Sequence, residues 1–163
     1  LMQDDKSISE ETMREGVART TWAGRCEVKR GLDRTFIFDG AHNAAGAESF
    51  GMTYAELFKD TPKTIVMAIL KDKNQEAIIR EVVNAGDTVL VVPAPTDRTE
   101  VPEALVEVIR RTVPKATAQT ANSVEDALAL AYKHTKTGDI IAVCGSLYIL
   151  GDARQWFNHE MSH

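Results

Sequence analysis

The run Asp39-Gly40-Ala41-His42-Asn43-Ala44-Ala45-Gly46 concentrates an acid, an imidazole and an amide between an apolar stretch and a helical pattern. A loop that leaves a strand and opens a helix turns free backbone N–H groups and a positive helix end toward a ligand. Asp39, at the strand tip, can accept hydrogen bonds from ribose hydroxyls. His42 can orient or bind a carboxylate, or exchange a proton near neutral pH. A plainer reading makes Asp39 and Asn43 helix caps and leaves His42 in solvent. Upstream, Trp22-Ala23-Gly24-Arg25-Cys26-Glu27 offers Arg25, whose planar fork of donors suits phosphate oxygens; the plain alternative is a surface arginine with Glu27 as its counterion. Downstream, Gly145-Ser146-Leu147-Tyr148 places Ser146 as a good N-cap, which together with neighbouring N–H groups can also hold a carboxylate.

Other chemistries are excluded by what these motifs lack. Gly46-Ala47-Glu48-Ser49-Phe50-Gly51-Met52-Thr53 has phosphate-loop spacing, but Met52 stands where the phosphate-binding lysine must be. No other stretch fits G-x-x-x-x-G-K-[ST], G-x-G-x-x-G or G-x-S-x-G. The sequence therefore carries no triphosphate cradle, dinucleotide fingerprint or nucleophile elbow. Cys26 and Cys144 are far apart, without a CxxC or Cys/His cluster, which argues against a zinc site or a disulfide framework and makes the cytosol the expected compartment. Cys144 reads as a small buried apolar group, Glu103 as a complement to a helix dipole, and Lys71-Asp72-Lys73 and Asp97-Arg98 as charged, solvated loops. His134, His159 and His163 are scattered.

These loops need elements to hold them. The chain has 163 residues, enough for one core, with 19 basic against 24 acidic residues and a net charge of −5. That balance argues against a nucleic-acid surface. No apolar run reaches the roughly 18–20 residues of a membrane helix, and no signal peptide is visible, so no membrane partner is expected. From Arg25 onward, strands and helices alternate. Cys26–Arg30 and Thr35–Phe38 flank a Gly31-Leu32-Asp33 turn and predict a hairpin, hence one antiparallel strand. Ala47, Phe50, Tyr54, Leu57 and Phe58 share a helix face. Thr64–Ile69, Thr88–Val92 and Ile140–Cys144 read as strands covered on both faces, and Ala116–Gln119 as a weak one. Helices are predicted over Asn74–Val83, after Pro102, after Ser123 and after Ser146. The expected fold is α/β: a Rossmann-like open sheet of about five parallel strands plus one antiparallel strand, with helices on both faces. Right-handed crossovers gather the strand-to-helix loops Asp39–Asn43, Leu70–Asn74, Pro93–Val101 and Gly145–Tyr148 at one sheet edge, where ligands bind. Residues 1–20 differ: Ser9–Arg14 suggests a short helix, and Ile8, Met13 and Val17 offer too little apolar surface for a core element. They read as a linker.

Taken together, Trp22-x-Gly24-Arg25-x-Glu27, Asp39-Gly40-Ala41-His42-Asn43, Leu70-Lys71-Asp72-Lys73 and Gly145-Ser146-Leu147-Tyr148 resemble the C-terminal domain of the folylpolyglutamate synthase/dihydrofolate synthase family, within the Mur ligase superfamily. The likeness runs over about residues 20–157. Ala44 stands where that family commonly has Pro, and Cys26 where a larger apolar residue is usual. The resemblance implies an ATP-dependent amide ligase that phosphorylates a pteroate or folate carboxylate and lets the amine of glutamate displace the phosphate. It implies that residues 1–20 end or follow an N-terminal ATPase domain, that residues 21–163 form the Mur ligase-like C-terminal domain, and that the phosphate loop and the Mg ligands lie in the N-terminal domain. Arg25 would contact ATP phosphates and Asp39 the ribose side, while His42 and Ser146 would lie near the incoming glutamate. On that reading the isolated chain is expected to be inactive. The alternatives are a peptidoglycan-building Mur ligase domain and a non-catalytic nucleotide- or amino-acid-binding module.

Overall fold

The computed structural model describes residues 9, 12, 23–59 and 61–162. The linker reading of residues 1–20, its short helix and Trp22 fall outside the described residues, apart from Ser9 and Thr12.

Among the described residues six strands form one sheet. β1 (Glu27–Gly31) and β2 (Arg34–Phe38) make the expected hairpin, with Glu27 opposite Phe38 and Gly31 opposite Arg34. Its turn places Leu32 and Asp33 at φ 54° and 58°. Two consecutive left-handed residues give the turn whose twist matches that of the strands. β3 (Lys63–Met67), β4 (Thr88–Val91), β5 (Thr117–Thr120) and β6 (Ile140–Cys144) complete the sheet in the order β1-β2-β6-β3-β4-β5. Every pairing after the hairpin is parallel. The sheet is therefore the expected one, with five parallel strands and one antiparallel edge strand. β6, buried along its whole length, lies between β2 and β3. β5 begins one residue later than the sequence suggests and is the most exposed strand, which explains its weak pattern.

Helices α1 (Ala44–Phe58), α2 (Gln75–Val82) and α3 (Pro102–Thr112) cover one face, packing Phe50, Tyr54, Ile78, Ile79, Leu105 and Ile109 against Ile37, Ile65, Val89 and Ala142. Helices α4 (Val124–His134) and α5 (Leu150–Glu160) cover the other, where Leu128, Ala131, Leu150 and Phe157 meet Phe36, Phe38, Val66 and Val143. Phe157 packs edge-on against Phe36, with ring centres 4.9 Å apart. Leu57 corrects the expected apolar stripe of α1, because it is 56% exposed. At about 100° per residue it falls at the outer margin of that stripe, on the side away from Gly51. The backbone of Glu81 approaches so closely at Gly51 that a Cβ would collide with its carbonyl oxygen, so α1 leans onto α2 and Leu57 turns outward.

The path of the chain creates crevices at the carboxyl edge. α1 leaves β2 on one face, whereas the chain leaving β6 runs through a 3-10 turn (Leu147–Ile149) into α5 on the other. Neighbouring strands whose connections part to opposite faces open a gap beyond their carboxyl ends, the usual ligand position of such sheets.

Candidate functional site

Asp39 extends the end of β2, where its N–H donates to the Val143 carbonyl at 2.9 Å. The residue is only 6% exposed, and its carboxylate is held by two backbone donors, Ala41 N–H on Oδ1 at 2.7 Å and Cys26 N–H on Oδ2 at 2.6 Å. Burial pushes its pKa above the ordinary aspartate value, against the opposing pull of the two amides and of the nearby Arg25 charge. The Gly40 N–H donates to Gly24 O at 2.7 Å. Two hydrogen bonds thus fasten the Gly24–Cys26 loop to the end of β2 and set Arg25 beside Asp39.

His42 Nδ1 lies 2.7 Å from Gly40 O. A carbonyl only accepts, so Nδ1 carries the proton, and Nε2 is an acceptor whenever the ring is neutral. Asn43 caps α1, its Oδ1 accepting from Gly46 N–H at 2.8 Å, and the first turn of α1 carries no acidic residue. The helix end is left positive, as an anion site requires.

Arg25, Asp39, His42 and Asn43 line one cavity of about 470 Å³ with Cys26, Ala45, Gly46, Ser49, Phe50 and Thr53. Three of the four expected site residues thus share a wall. Ser146, the fourth, is not among the lining residues: it is 1% exposed, and its Oγ accepts from Tyr148 N–H at 3.3 Å to cap the 3-10 turn. The plain readings of Asn43 and Ser146 as caps hold together with their place at the carboxyl edge, whereas Asp39 does not cap α1: its carboxylate takes the Ala41 and Cys26 amides instead. The plain reading of Arg25 does not name its partner correctly, because Glu27 is engaged by Arg154 at 2.8 Å and by Lys29 at 3.6 Å.

Sequence reasoning did not single out Ser49 and Thr53 as cavity residues. Their signal was present, since 46, 49, 50 and 53 recur at the spacing of one helix face beginning at the loop. It also missed that the charged loops neutralise one another. Leu70 bridges Thr99, Lys71 N–H donates to Arg98 O at 3.0 Å, and Asp72 pairs with Arg98 at 2.5 Å. Burial pushes the Cys144 thiol to about 12, and burial together with Asp39 also raises that of Cys26, so both are held as thiols rather than thiolate nucleophiles. Among the described residues no three His, Cys, Asp or Glu side chains group as metal ligands, and no helix is long and apolar enough to cross a membrane.

The profile described as "Mur ligase, glutamate ligase domain" matches residues 24–147. A folylpolyglutamate synthase of Lacticaseibacillus casei is 29% identical over 153 residues, which cover 94% of this chain and 34% of that protein. The crystal structure of folylpolyglutamate synthase from Thermotoga maritima superposes with a TM-score of 0.73 at 29% identity, covering 94% of this chain and 34% of that one. E. coli FolC in complex with DHPP and ADP superposes with a TM-score of 0.79 at 25% identity, covering 94% and 35%. The chain thus spans about a third of the length of the relatives it matches.

Proposed function

Because the chain belongs to the Mur ligase glutamate ligase domain family, we propose that it forms the C-terminal part of an ATP-dependent ligase that adds glutamate to dihydropteroate or folate. The observation that carries this reading is the shared wall of Arg25, Asp39 and His42 at the mouth of α1. The reaction starts when a carboxylate oxygen of the pteroate or folate substrate attacks the γ-phosphorus of ATP. ADP leaves, and an acyl phosphate forms. The amine of glutamate then adds to the acyl carbon, and the tetrahedral intermediate collapses by expelling phosphate and losing a proton, leaving an amide. The phosphate loop and the Mg ligands belong to an N-terminal ATPase domain, for which this chain is the closing half. Residues 1–20 join the two.

The residues divide the work by chemistry. The Arg25 guanidinium neutralises phosphate oxygens as charge moves during transfer. Asp39 spends one lone pair of each carboxylate oxygen on a backbone amide and keeps the others for the ribose hydroxyls. His42, with Nδ1 fixed on Gly40 O, turns Nε2 toward the incoming amino acid. Ser146 holds the turn after β6 beside this wall. Closure of the two domains keeps water from the acyl phosphate. Both cysteines are free thiols, which suits the reducing cytosol.

The test is glutamate incorporation into a dihydropteroate or folate substrate. The isolated chain is expected to give none. In the complete enzyme, Arg25→Ala is expected to lower kcat/KM for ATP by about a hundredfold, the scale of losing a charge-assisted phosphate contact. Ligation by the isolated chain, or an Arg25→Ala enzyme of unchanged kcat/KM, overturns the proposal.

A further inference from the structure

Arg25 sits between two residues of left-handed backbone, which the preceding glycine adopts freely but which is unfavourable for the cysteine that follows. Gly24 has φ 74° and Cys26 φ 40°. The left-handed region is costly for a side chain such as that of Cys26, and such conformations persist only where surrounding contacts enforce them. Two of those contacts come from the β2 end, described above. A third comes from the opposite layer of the fold. Arg154, on α5, places its guanidinium 2.9 Å from Glu27 Oε1 and 2.8 Å from Oε2. Glu27 Oε2 in turn accepts the Gly24 N–H at 3.0 Å. One turn earlier on the same helix, Leu150 lies so close to Gly24 that a Cβ there would come within 2.7 Å of its Cδ1. Helix α5 therefore touches the Arg25 loop twice, once by packing and once through a carboxylate relay.

We propose that Arg154 is a positioning residue for the phosphate-facing arginine: through Glu27 it fixes the Gly24 amide and so the direction in which Arg25 projects into the cavity. The proposal rests on the reading of that cavity as a nucleotide site. Glu27 is poorly exposed, and Arg154 is about one-third exposed. The pair lies beside the cavity rather than in its wall, since neither residue lines it. Without the guanidinium, the Glu27 carboxylate loses the partner that orients both its oxygens, and the Gly24 N–H loses a fixed acceptor. The loop then relaxes toward unstrained backbone, and Arg25 spreads over several directions. A nucleotide must restore the ordered loop before it gains the phosphate contact, so affinity falls although no residue touching the ligand has changed.

The test uses the chain itself, with ADP as the probe and amide NMR as the readout, a method suited to weak binding. Arg154→Met is expected to speed amide exchange at Gly24 by tenfold or more in the absence of ligand and to raise the Kd for ADP about fivefold. Its melting temperature should stay within a few degrees of the wild type. Arg154→Lys, which keeps the charge but not the fixed planar guanidinium whose Nη2 straddles both Glu27 oxygens, should recover part of both effects. Glu27→Gln should reproduce the loss of ADP affinity. Arg25→Ala should weaken ADP binding and leave Gly24 exchange unchanged. Unaltered Gly24 exchange and ADP affinity in Arg154→Met, with Arg25→Ala weakened, overturns the proposal. If the wild-type chain shows no ADP-dependent change, the affinity comparison is made in the complete enzyme, where an unchanged ADP affinity in Arg25→Ala overturns the nucleotide reading of the cavity instead, and the ligand-free exchange at Gly24 still decides whether Arg154 holds the loop.

Discussion

Lys63→Met separates the stabilising end of the sheet from its binding end. Lys63 opens β3 and Asp87 immediately precedes β4, so both lie at the amino edge, away from the cavity. Their side chains are 1% and 0% exposed, and Nζ meets Asp87 Oδ2 at 2.7 Å. Asp87 also accepts the backbone N–H of Lys63 at 3.0 Å and of Asn84 at 2.8 Å, while Nζ lies 4.2 Å from the centre of the Tyr54 ring. Methionine fills most of the lysine stem volume but leaves the carboxylate buried without a counterion. Removing one partner of such a pair costs about 3–5 kcal/mol. An unfolding entropy near 2.1 cal/mol/K per residue gives a chain of this length about 0.34 kcal/mol/K, so the melting temperature should fall by about 9–15 °C. Lys63→Met/Asp87→Asn removes the stranded charge, keeps a carbonyl acceptor for one amide, and should be more stable than the single variant by about 2 kcal/mol. Urea denaturation and thermal melts measure both, and ADP titration at 20 °C should return the wild-type affinity. A single variant that loses less than about 1 kcal/mol, or whose ADP affinity falls with its stability, refutes the assignment of the two ends.

The remaining predictions concern the carboxyl edge. In Gly40→Ala the new methyl group would collide with the Leu147 side chain and come within 3.3 Å of Gly24 O. Overpacking there should cost about 1–3 kcal/mol, and should weaken ADP binding because it pushes the Arg25 loop away from β2; denaturation and titration check the two effects. Glu27 is governed by burial, which raises its pKa, but Arg154, the Gly24 amide and Lys29 outweigh this and hold it below its ordinary value of 4.5. A depressed native pKa supplies stability that is complete above the ordinary value and is lost as pH falls through the native one. Glu27→Gln should therefore flatten the acid limb of the stability profile below about pH 4.5. Asp39, raised by burial, works in the opposite sense, since its stabilising contribution declines as pH rises through its native value.

Local pattern carried most of the fold. Ile140–Cys144 reads as a strand because its apolar run is short, rich in β-branched residues and closed by Gly145, and β6 is buried at every position. Asn43, Asn74 and Ser123 each accept the N–H three residues on, as capping requires. What stayed hidden was contact between residues remote in sequence. Glu27 and Arg154 are separated by 127 positions, and nothing in the spacing of either hints at the other. Lys63 and Asp87 look like ordinary surface charges flanking strands, and only the parallel pairing of β3 with β4 brings them together. The bridge from Leu70 to Thr99 joins two loops that each read as solvated charge. Leu57 failed for a different reason: its stripe was measured on one helix, whereas burial was decided by how α1 leans on α2.

The antiparallel strand explains why Arg25 reaches the site at all. In a parallel sheet only the segments that follow strands arrive at the carboxyl edge. Arg25 precedes its strand, so in a parallel β1 it would lie at the amino edge, beside Lys63 and Asp87. Because β1 runs the other way, its first residue, Glu27, stands opposite the last residue of β2, Phe38, and the segment before β1 lands at the carboxyl edge. The left-handed pair Leu32 and Asp33 sets this register, and a shift of one residue would turn the side chains of β1 to opposite faces. The hairpin therefore adds a cation to an edge whose other loops contribute an acid, an imidazole and a helix end. It also leaves that cation just before the outermost strand, which β2 flanks on one side only. A loop in that position depends on side-chain tethers rather than on a second neighbouring strand, and Asp39 from one side and Glu27 with Arg154 from the other supply them.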